Sequence, residues 1–578
     1  MATKNITIPE IPEGFTLHTE NNSHILLSSN EAFLNPVQEF NRDTSVACIR
    51  VWSEELHRLK KEKWLLARER KQTKKKQNKR PRLETDVSVD TPESVPQGTE
   101  PESVSVDQPE YPQRKIVILE ALSATGLRSI RYAKEIPHVS YVIANDLSSA
   151  ATAAMKRNID LNGLGPLPPA SGTDPAAAST RPTEIRVNEG DACTLMYNHR
   201  ENTKRVDVLD LDPYGTAAPF IDAAVQCIRD DGLLCVTCTD LTVLATTNYA
   251  EKCFSNYGGI PVKAEYCHEA ALRLVLHSIS TSAARYGRYI EPILSLSIDF
   301  YVRLFIRIRT SPLEVKKAIT KTSTYWVCTD CQSFYGQPMA KVTEKAHPSG
   351  AVNYNFKLQP GPPVMDKCPE CEGTLHMAGP MWSAPIHDSG FVGKVLEHLA
   401  SNETLYGTAS RMKGMLTVAK EELPDTPFYF TPTRVANFFH CSTPSLADVA
   451  SALLHGGHKV SRSHASAGSI KSTATRAEVF DIFRCWIKLN PVKRANISPT
   501  SPAHRLLEKE PRVEANFTKH PDSVAHTSKV KLVRYQENPT ANWGPGTKAV
   551  SGTSAPKSTK AAKRKHEHVE DAEEQAGD

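Results

Sequence analysis

Asp212-Pro213-Tyr214-Gly215 places a carboxylate, a proline-fixed carbonyl and an aromatic face in one short segment. A carboxylate and a carbonyl side by side can accept both N–H bonds of an aromatic amine, drawing out a lone pair otherwise delocalised into the ring. A neighbouring tyrosine can stack on the planar base that carries the amine. Asp-Pro-x-Gly is also a common turn sequence. Its place directly after an apolar run, VDVLDL (206–211), decides for chemistry.

Three further segments follow apolar runs in the same way: Glu120 through Gly126 to Arg128, Asn145-Asp146, and Glu189-Gly190-Asp191-Ala192. In open α/β sheets ligands bind beyond the carboxyl ends of the strands. Small residues after the first strand admit a ligand to the backbone, Asp146 can accept two ribose hydroxyls, and Asp191 is placed to meet an adenine amine. A dinucleotide site would need G-x-G-x-x-G to seat a pyrophosphate. Only Gly126 of that set is present, so an adenosine-type cofactor without phosphates is expected. Taken singly, Gly126 also suits a turn, and Asp146 and Asp191 also suit helix caps. Four acids in the same relation to four strands are harder to explain as caps.

The elements that position these residues alternate. Apolar strands are predicted at 116–119, 141–144, 185–187, 206–211 and 233–238, with helices around 126–135, 148–161 and 216–229. Continuously apolar strands separated by amphipathic helices predict a doubly wound α/β domain with a parallel sheet covered on both faces. The β-branched and aromatic run 293–309 suits its long final strands. Two segments cannot bury enough apolar surface to order themselves and are read as disordered insertions, 83–113 with five prolines and 164–183.

Charge is uneven beneath a net +5. Residues 58–82 hold 13 Lys or Arg against 2 acids, and 83–113 hold 8 acids with no Lys or Arg. Leu56, Leu59, Leu65 and Leu66 give Ser53–Arg70 a basic amphipathic helix, which runs into the tract KKKQNKRPR (74–82). Such a tract points to polyanions or transport factors, and equally to a solvated face. No apolar run approaches the roughly 18 residues of a membrane span, and the first residues lack the features of a secretory signal, so a soluble intracellular chain is expected.

Most of the 13 cysteines are scattered singly, but Cys328-Thr-Asp-Cys331 and Cys368-Pro-Glu-Cys371 form two C-x-x-C knuckles. Paired knuckles fit a structural four-thiolate Zn2+ site, and the 36 residues between them can be filled by a hairpin. Downstream, 427–466 and 475–488 look helical around a basic Gly/Ser loop, as in small nucleic-acid-binding folds.

The DPYG motif is similar to the D/N-P-P-[YF] signature of enzymes that methylate exocyclic amines. Together with NPVQEFNRDTSV (35–46), LEALSATGLRSIRYAKE (119–135), ANDLS (144–148), EGDA (189–192), DLDPYGT (210–216) and ARYGRYIEPILSLSIDFYVRLF (284–305), it makes the chain resemble the tRNA (guanine-26, N2)-dimethyltransferases. The resemblance implies a Rossmann-like class I methyltransferase domain plus a C-terminal α+β domain with a zinc-ribbon-like module. It implies that Arg42, Arg128, Asp146, Asp191 and Ala192 contact S-adenosyl-L-methionine. Asp212 would be the essential acid, with Pro213 and Tyr214 beside it; Tyr214 stands where relatives often have Phe. Cys328, Cys331, Cys368 and Cys371 resemble a cluster found in many of these enzymes.

The expected divisions are an N-terminal segment 1–52, a basic helix and tract 53–82, the insertion 83–113 and a methyltransferase domain 114–315. A zinc-ribbon-like module 316–380, a tRNA-binding domain 381–495 and a largely disordered basic tail 496–578 follow. Expected partners are tRNA and the nuclear import machinery, with no obligate protein partner. The nucleus is the expected location, and the resemblance adds a mitochondrial pool. Two rival readings stand at this stage: a methyltransferase for another nucleobase amine, and a zinc-containing RNA-binding or RNA-folding protein on a non-catalytic methyltransferase fold.

Overall fold

A computed structural model describes residues 11–28, 34–78, 111–165 and 183–523. Most of both expected insertions, Lys79 to Arg82 and Lys560 to His566 lie outside the described residues. A hairpin of β1 (Phe15–Glu20) and β2 (Ser23–Ser28) precedes the central sheet. The sheet contains β3 (Ile116–Glu120), β4 (Val139–Asp146), β5 (Glu184–Glu189), β6 (Val206–Leu211), β7 (Ile228–Cys238), β8 (Arg288–Ile298) and β9 (Tyr301–Thr310). Its order is β5-β4-β3-β6-β7-β9-β8.

Pairs among β3 to β7 are parallel, whereas β9 runs antiparallel to both β7 and β8. The sheet is therefore mixed, not wholly parallel, because the run 293–309 breaks at Asp299 and Phe300 into a tight hairpin. Successive strand residues point to opposite faces. Ile118, Val142, Val208 and Leu233 join one core with the helix Leu127–Glu135 and the long N-terminal helix. Leu119, Ile143, Leu209 and Leu234 join another with the helices Ala218–Cys227 and Cys267–Ala284. Burial on both sides is why these strands read as unbroken apolar runs.

Three expected boundaries are corrected by packing. The basic helix does not begin at 53. It is the second half of one 40-residue helix, Glu39–Asn78, whose first turns bury Phe40, Ile49 and Trp52. The boundary at 381 also fails, because the helices Ser389–Ser401 and Ala409–Glu421 place Val392, Leu399, Met412 and Leu416 in the core of that long helix. The third concerns the tail, which does not begin at 496: the helix Pro502–Glu508 buries Leu506 and Leu507 against the helices Pro432–Phe439 and Arg476–Leu489.

Between these lies a smaller sheet, β10 (Thr322–Cys328), β11 (Phe334–Pro338) and β14 (Leu375–Trp382), ordered β11-β10-β14. The hairpin of β12 (Ala340–Ala346) and β13 (Val352–Leu358) fills the gap between the two knuckles. Among the described residues no helix is long and apolar enough to cross a membrane.

Leu506 is 1% exposed within the C-terminal core. Leu506→Ala should destabilise that unit by about 2–5 kcal/mol, the usual cost of a buried leucine. Chemical denaturation checks this, and an unchanged midpoint would return 496–523 to the status of a tail.

Candidate active site

The strand order reverses between β3 and β6, so the loops that follow them diverge and leave a crevice. A cavity of about 750 Å³ occupies it. Its wall takes Ser123, Ala124 and Thr125 from the loop after β3, Asp146 from the end of β4, and Asp212, Pro213 and Tyr214 from the loop after β6. Asn35 and Arg42 at the start of the long helix, and Asp299, Phe300 and Tyr301 at the β8–β9 turn, close it.

The loop after β3 is bent tightly. Ala124 adopts φ +46 and donates its N–H to Asp146 Oδ2 at 3.0 Å. Gly126 adopts φ +78 at the helix start, and a Cβ there would stand 3.1 Å from Met155 Cγ. Left-handed backbone and close approach together require glycine. Asp146 Oδ1 also accepts from Ser148 N–H at 3.0 Å, which fixes the carboxylate at the cavity edge.

The loop after β6 is pinned from behind. Gly215 N–H donates to Thr239 Oγ1 at 2.7 Å, and Thr239 N–H donates to Gly215 O at 2.8 Å. Pro213 is buried, while Tyr214 is 82% exposed and presents its ring at the mouth. Asp212 accepts from Arg128 Nη2 through Oδ2. Arg128 is itself buried; its Nη1 donates to Ser45 Oγ at 3.1 Å and its Nε lies 3.5 Å from Glu120. Arg42 donates to both oxygens of Glu20 and belongs to the cavity lining.

Of the eight residues expected at the cofactor and catalytic site, six meet at this cavity: Arg42, Arg128, Asp146, Asp212, Pro213 and Tyr214. Asp191 and Ala192 stand outside its lining. Asp191 Oδ2 accepts from Thr194 N–H at 2.6 Å, capping the helix Ala192–Asn198, and Ala192 is buried. Their loop adjoins the cavity edge through Gly190 N–H, which donates to Asp146 O at 3.0 Å.

Sequence reasoning did not single out Thr239, Asp299, Phe300 or Tyr301 as site residues. Glu120 counts among the four acids that follow strands but has no role assigned from sequence, and the structure places it at the end of β3 beside Asp210. Phe300 and Tyr301 carried no signal, because their turn is hidden inside an apolar run.

The floor beneath the site is strongly charged. Burial works against ionised Asp210, yet Arg303 and Arg128 hold its carboxyl below the usual range. Glu120 lacks such compensation. Burial pushes it up to about 8, and Arg128 and a hydrogen bond from Ser129 offset only part of that.

A family described as N2,N2-dimethylguanosine tRNA methyltransferase matches residues 14–484. The chain belongs to this family. The mouse tRNA (guanine(26)-N(2))-dimethyltransferase is 41% identical over 544 residues, which cover 93% of this chain and 77% of that protein. A Saccharomyces cerevisiae relative named as the mitochondrial tRNA (guanine(26)-N(2))-dimethyltransferase is 38% identical over 554 residues, covering 92% of each chain. The solved structure of Pyrococcus horikoshii Trm1 in complex with S-adenosyl-L-methionine aligns with a TM-score of 0.55 at 24% identity. It covers 79% of this chain and 97% of its own, and supports a Rossmann-like methyltransferase fold here.

The four knuckle cysteines of this family member are all buried, and their sulfurs lie within 4.8 Å of one another. Cys328 and Cys371 Sγ stand 3.5 Å apart, and Cys331 and Cys368 Sγ 3.6 Å apart. The knuckles repeat one backbone pattern: Gln332 N–H donates to Cys328 O, and Glu372 N–H to Cys368 O, with both donor residues at φ +57. A second cluster, His387, Glu422 and His464, also brings ligand-type atoms together. There Ser297 N–H donates to His464 Nε2, Ser295 N–H donates to His387 Nδ1, and Lys471 Nζ sits 2.7 Å from Glu422. Those bonds leave that cluster as a buried ionic junction.

Folded protein keeps a proton on Glu120 up to about pH 8, whereas the unfolded chain releases it near the ordinary value of 4.5. Folding therefore takes up a proton in that window, and stability falls as pH rises through it. Glu120→Gln should remove this slope, so the variant gains on the wild type between pH 5 and pH 8. Unfolding free energies at the two pH values check it; a constant difference would contradict the protonated Glu120.

Proposed function

We propose that this chain is a tRNA (guanine(26)-N(2))-dimethyltransferase, which transfers two methyl groups from S-adenosyl-L-methionine to the N2 amine of guanine 26 in tRNA. The observation that carries this reading is Asp212 on the cavity wall, followed by buried Pro213 and exposed Tyr214, in one cavity with the loops after β3 and β4. The donors present suit the cofactor. Asp146, fixed by two backbone N–H groups, offers acceptors to ribose hydroxyls. Arg42 and Arg128 supply positive charge, and Asp191 and Ala192 would serve the adenine if the ligand extends over the Gly190 loop. When bound, the cofactor supplies an electrophilic methyl on a sulfonium.

Tyr214 stacks on the purine and orients its amine toward the cavity. The Asp212 carboxylate and the Pro213 carbonyl accept the two N–H bonds and return the nitrogen lone pair to the amine. With the cofactor bound, that lone pair would accept the methyl as the N–C bond forms, the electrons of the broken C–S bond staying on sulfur. One amine proton leaves along the hydrogen bond to Asp212. A monomethylated amine keeps one N–H for Asp212, which allows a second transfer; a dimethylated amine keeps none, and the reaction stops.

Around this centre the proposed parts are a methyltransferase unit over 114–315 with the long N-terminal helix, a zinc-ribbon-like module over 316–380, and a C-terminal unit that grips the tRNA body. Cys328, Cys331, Cys368 and Cys371 would hold structural Zn2+. A tetrahedron of Zn–S bonds of about 2.3 Å has edges of about 3.8 Å, close to the sulfur separations above. The tract at 74–82, with 560–566 as a second candidate, would be read by the nuclear import machinery.

Three outcomes are expected. Asp212→Ala should abolish methyl transfer from labelled cofactor to unmodified tRNA while leaving cofactor binding in place, and substantial turnover would sink the assignment. Cys331→Ser or chelation should lower the melting temperature and loosen the 320–375 module, because metal free energy is folding free energy. Unchanged melting of a metal-free preparation would count against zinc. Replacing Lys74, Lys75, Lys76, Lys79, Arg80 and Arg82 with Ala should move a fluorescent fusion to the cytoplasm without loss of activity in vitro. A fusion that stays nuclear while tRNA affinity collapses would assign the tract to substrate binding.

A further inference from the structure

We infer that the hairpin of β12 and β13 is an RNA-binding arm, whose outward face grips the sugar-phosphate backbone of the substrate tRNA away from the methylated base. The inference rests on the reading of this chain as a tRNA methyltransferase and adds a contact surface to it. In an antiparallel pair, residues directly opposite share a face, and every second residue along each strand joins them. One face of this hairpin therefore carries Lys341 opposite Lys357, Thr343 opposite Asn355 and Lys345 opposite Asn353. All six are exposed. The other face carries Val342, Tyr354 and Phe356, which are half-buried, and Lys317 Nζ lies 4.9 Å from the centre of the Tyr354 ring. That side packs toward the end of the helix Pro312–Lys317, and the basic side is left to solvent.

The basic face is not balanced from within. Among the described residues no acid pairs with Lys341, Lys345 or Lys357, and the face itself holds none. Like charges directly opposite one another destabilise a strand pair, and an isolated two-stranded hairpin has little stability to spare. Lysines on a free edge also discourage strand addition, but that task needs no like-charged pair on a single face. A row of phosphates supplies the missing charge: three ammonium groups meet it as point charges, while Thr343 and the two asparagines offer short hydrogen-bonding groups. The place of the hairpin suits an arm. β9 runs from Tyr301 in the cavity wall to Thr310, and its 10 residues span on the order of 30 Å. The helix Pro312–Lys317 follows at the far end, so the hairpin meets the RNA roughly ten base pairs of duplex away from the base being methylated. Such a contact adds affinity and orientation without reading sequence.

The test uses the full-length protein and unmodified tRNA, with binding measured over a range of salt concentrations and methyl transfer followed from labelled S-adenosyl-L-methionine. In the triple variant Lys341→Ala, Lys345→Ala, Lys357→Ala the slope of log affinity against log salt should flatten by about 2–3, and KM for tRNA should rise about tenfold. Its kcat at saturating tRNA, its affinity for S-adenosylhomocysteine and its melting temperature should stay near wild type. The corresponding triple Lys→Arg variant keeps the charges and should keep the wild-type slope. If the alanine variant does not fold, Lys357→Gln alone should flatten the slope by about 1. The inference is overturned if a folded variant binds tRNA with the wild-type slope and KM. Should that variant also self-associate, the lysines guard the strand edges and nothing more. It is equally overturned if kcat at saturating tRNA falls while tRNA affinity holds, because the hairpin would then act on the cavity. A wild-type protein that binds tRNA through these lysines yet transfers no methyl would instead overturn the functional reading and leave the arm in place.

Discussion

Asp210 has no exposed surface, and its carboxylate lies between Arg303, which takes both oxygens, and Arg128 at 3.6 Å. Removing charges from water costs several kcal/mol each, and breaking such a pair from one side typically costs about 3–5 kcal/mol. The cluster therefore constrains every element that contributes to it. Asp210 comes from β6, Arg303 from β9 and Arg128 from the helix Leu127–Glu135. Ser45 on the long helix accepts from both arginines, at 3.1 and 2.8 Å. Four elements distant in sequence are fixed at one point, directly beneath the residues that line the cavity.

The long helix carries this constraint outward. Arg131 pairs with Asp43 at 2.7 Å and with Glu20 at 3.3 Å, and Glu20 also accepts from Arg42. Against the effect of burial, His18, Arg42 and Arg131 hold Glu20 well below the usual carboxylate range, so it is ionised and committed to the two arginines. Asp43 Oδ2 accepts from the N–H and the hydroxyl of Thr408, at 2.9 and 2.7 Å. That contact sits just before the helix Ala409–Glu421. It explains why 389–421 packs with the N-terminal half of the chain although it follows the cysteine module in sequence.

The sheet was legible because its signal is local. Each central strand is an apolar run covered on both faces, and each ligand-facing loop begins where that run ends, so Asp146 and the Asp212–Tyr214 segment could be placed without knowing any contact. The capping role of Asp191 was also foreseeable, since an acid before a helix caps it whatever else it does. The rest depends on non-local partners. The turn at Asp299 has no glycine or proline to mark it, and its closeness to Asp212 follows only from β9 pairing with β7. The full helix Glu39–Asn78 was obscured because its buried and basic halves have different compositions. Residues 496–523 read as a polar tail because the short helix Pro502–Glu508 shows only a few apolar residues until its partners in Arg476–Leu489 are in place.

The β8–β9 hairpin joins two of these buried charge clusters. Its second strand supplies Arg303 to Asp210, while backbone N–H groups of its first strand, Ser295 and Ser297, donate to His387 and His464. His464 Nδ1 lies 2.7 Å from Glu422, which Lys471 pairs at 2.7 Å, and Lys471 also pairs with Glu269 at 3.1 Å. Burial alone would favour a neutral Glu422, but Lys471 and His464 hold it well below the ordinary range. The ionised form is the one that the imidazole and the ammonium require. Asp299 at the hairpin tip adds a third tie, to Arg411 at 2.7 Å. Phe300 and Tyr301 in the cavity wall thus sit on a strand pair fixed on one side by the buried Asp210 cluster and on the other by the C-terminal unit. A displacement of that unit large enough to break the Glu422 junction would move the backbone that carries Phe300, which mechanically links the seating of the C-terminal unit to the shape of the cavity mouth.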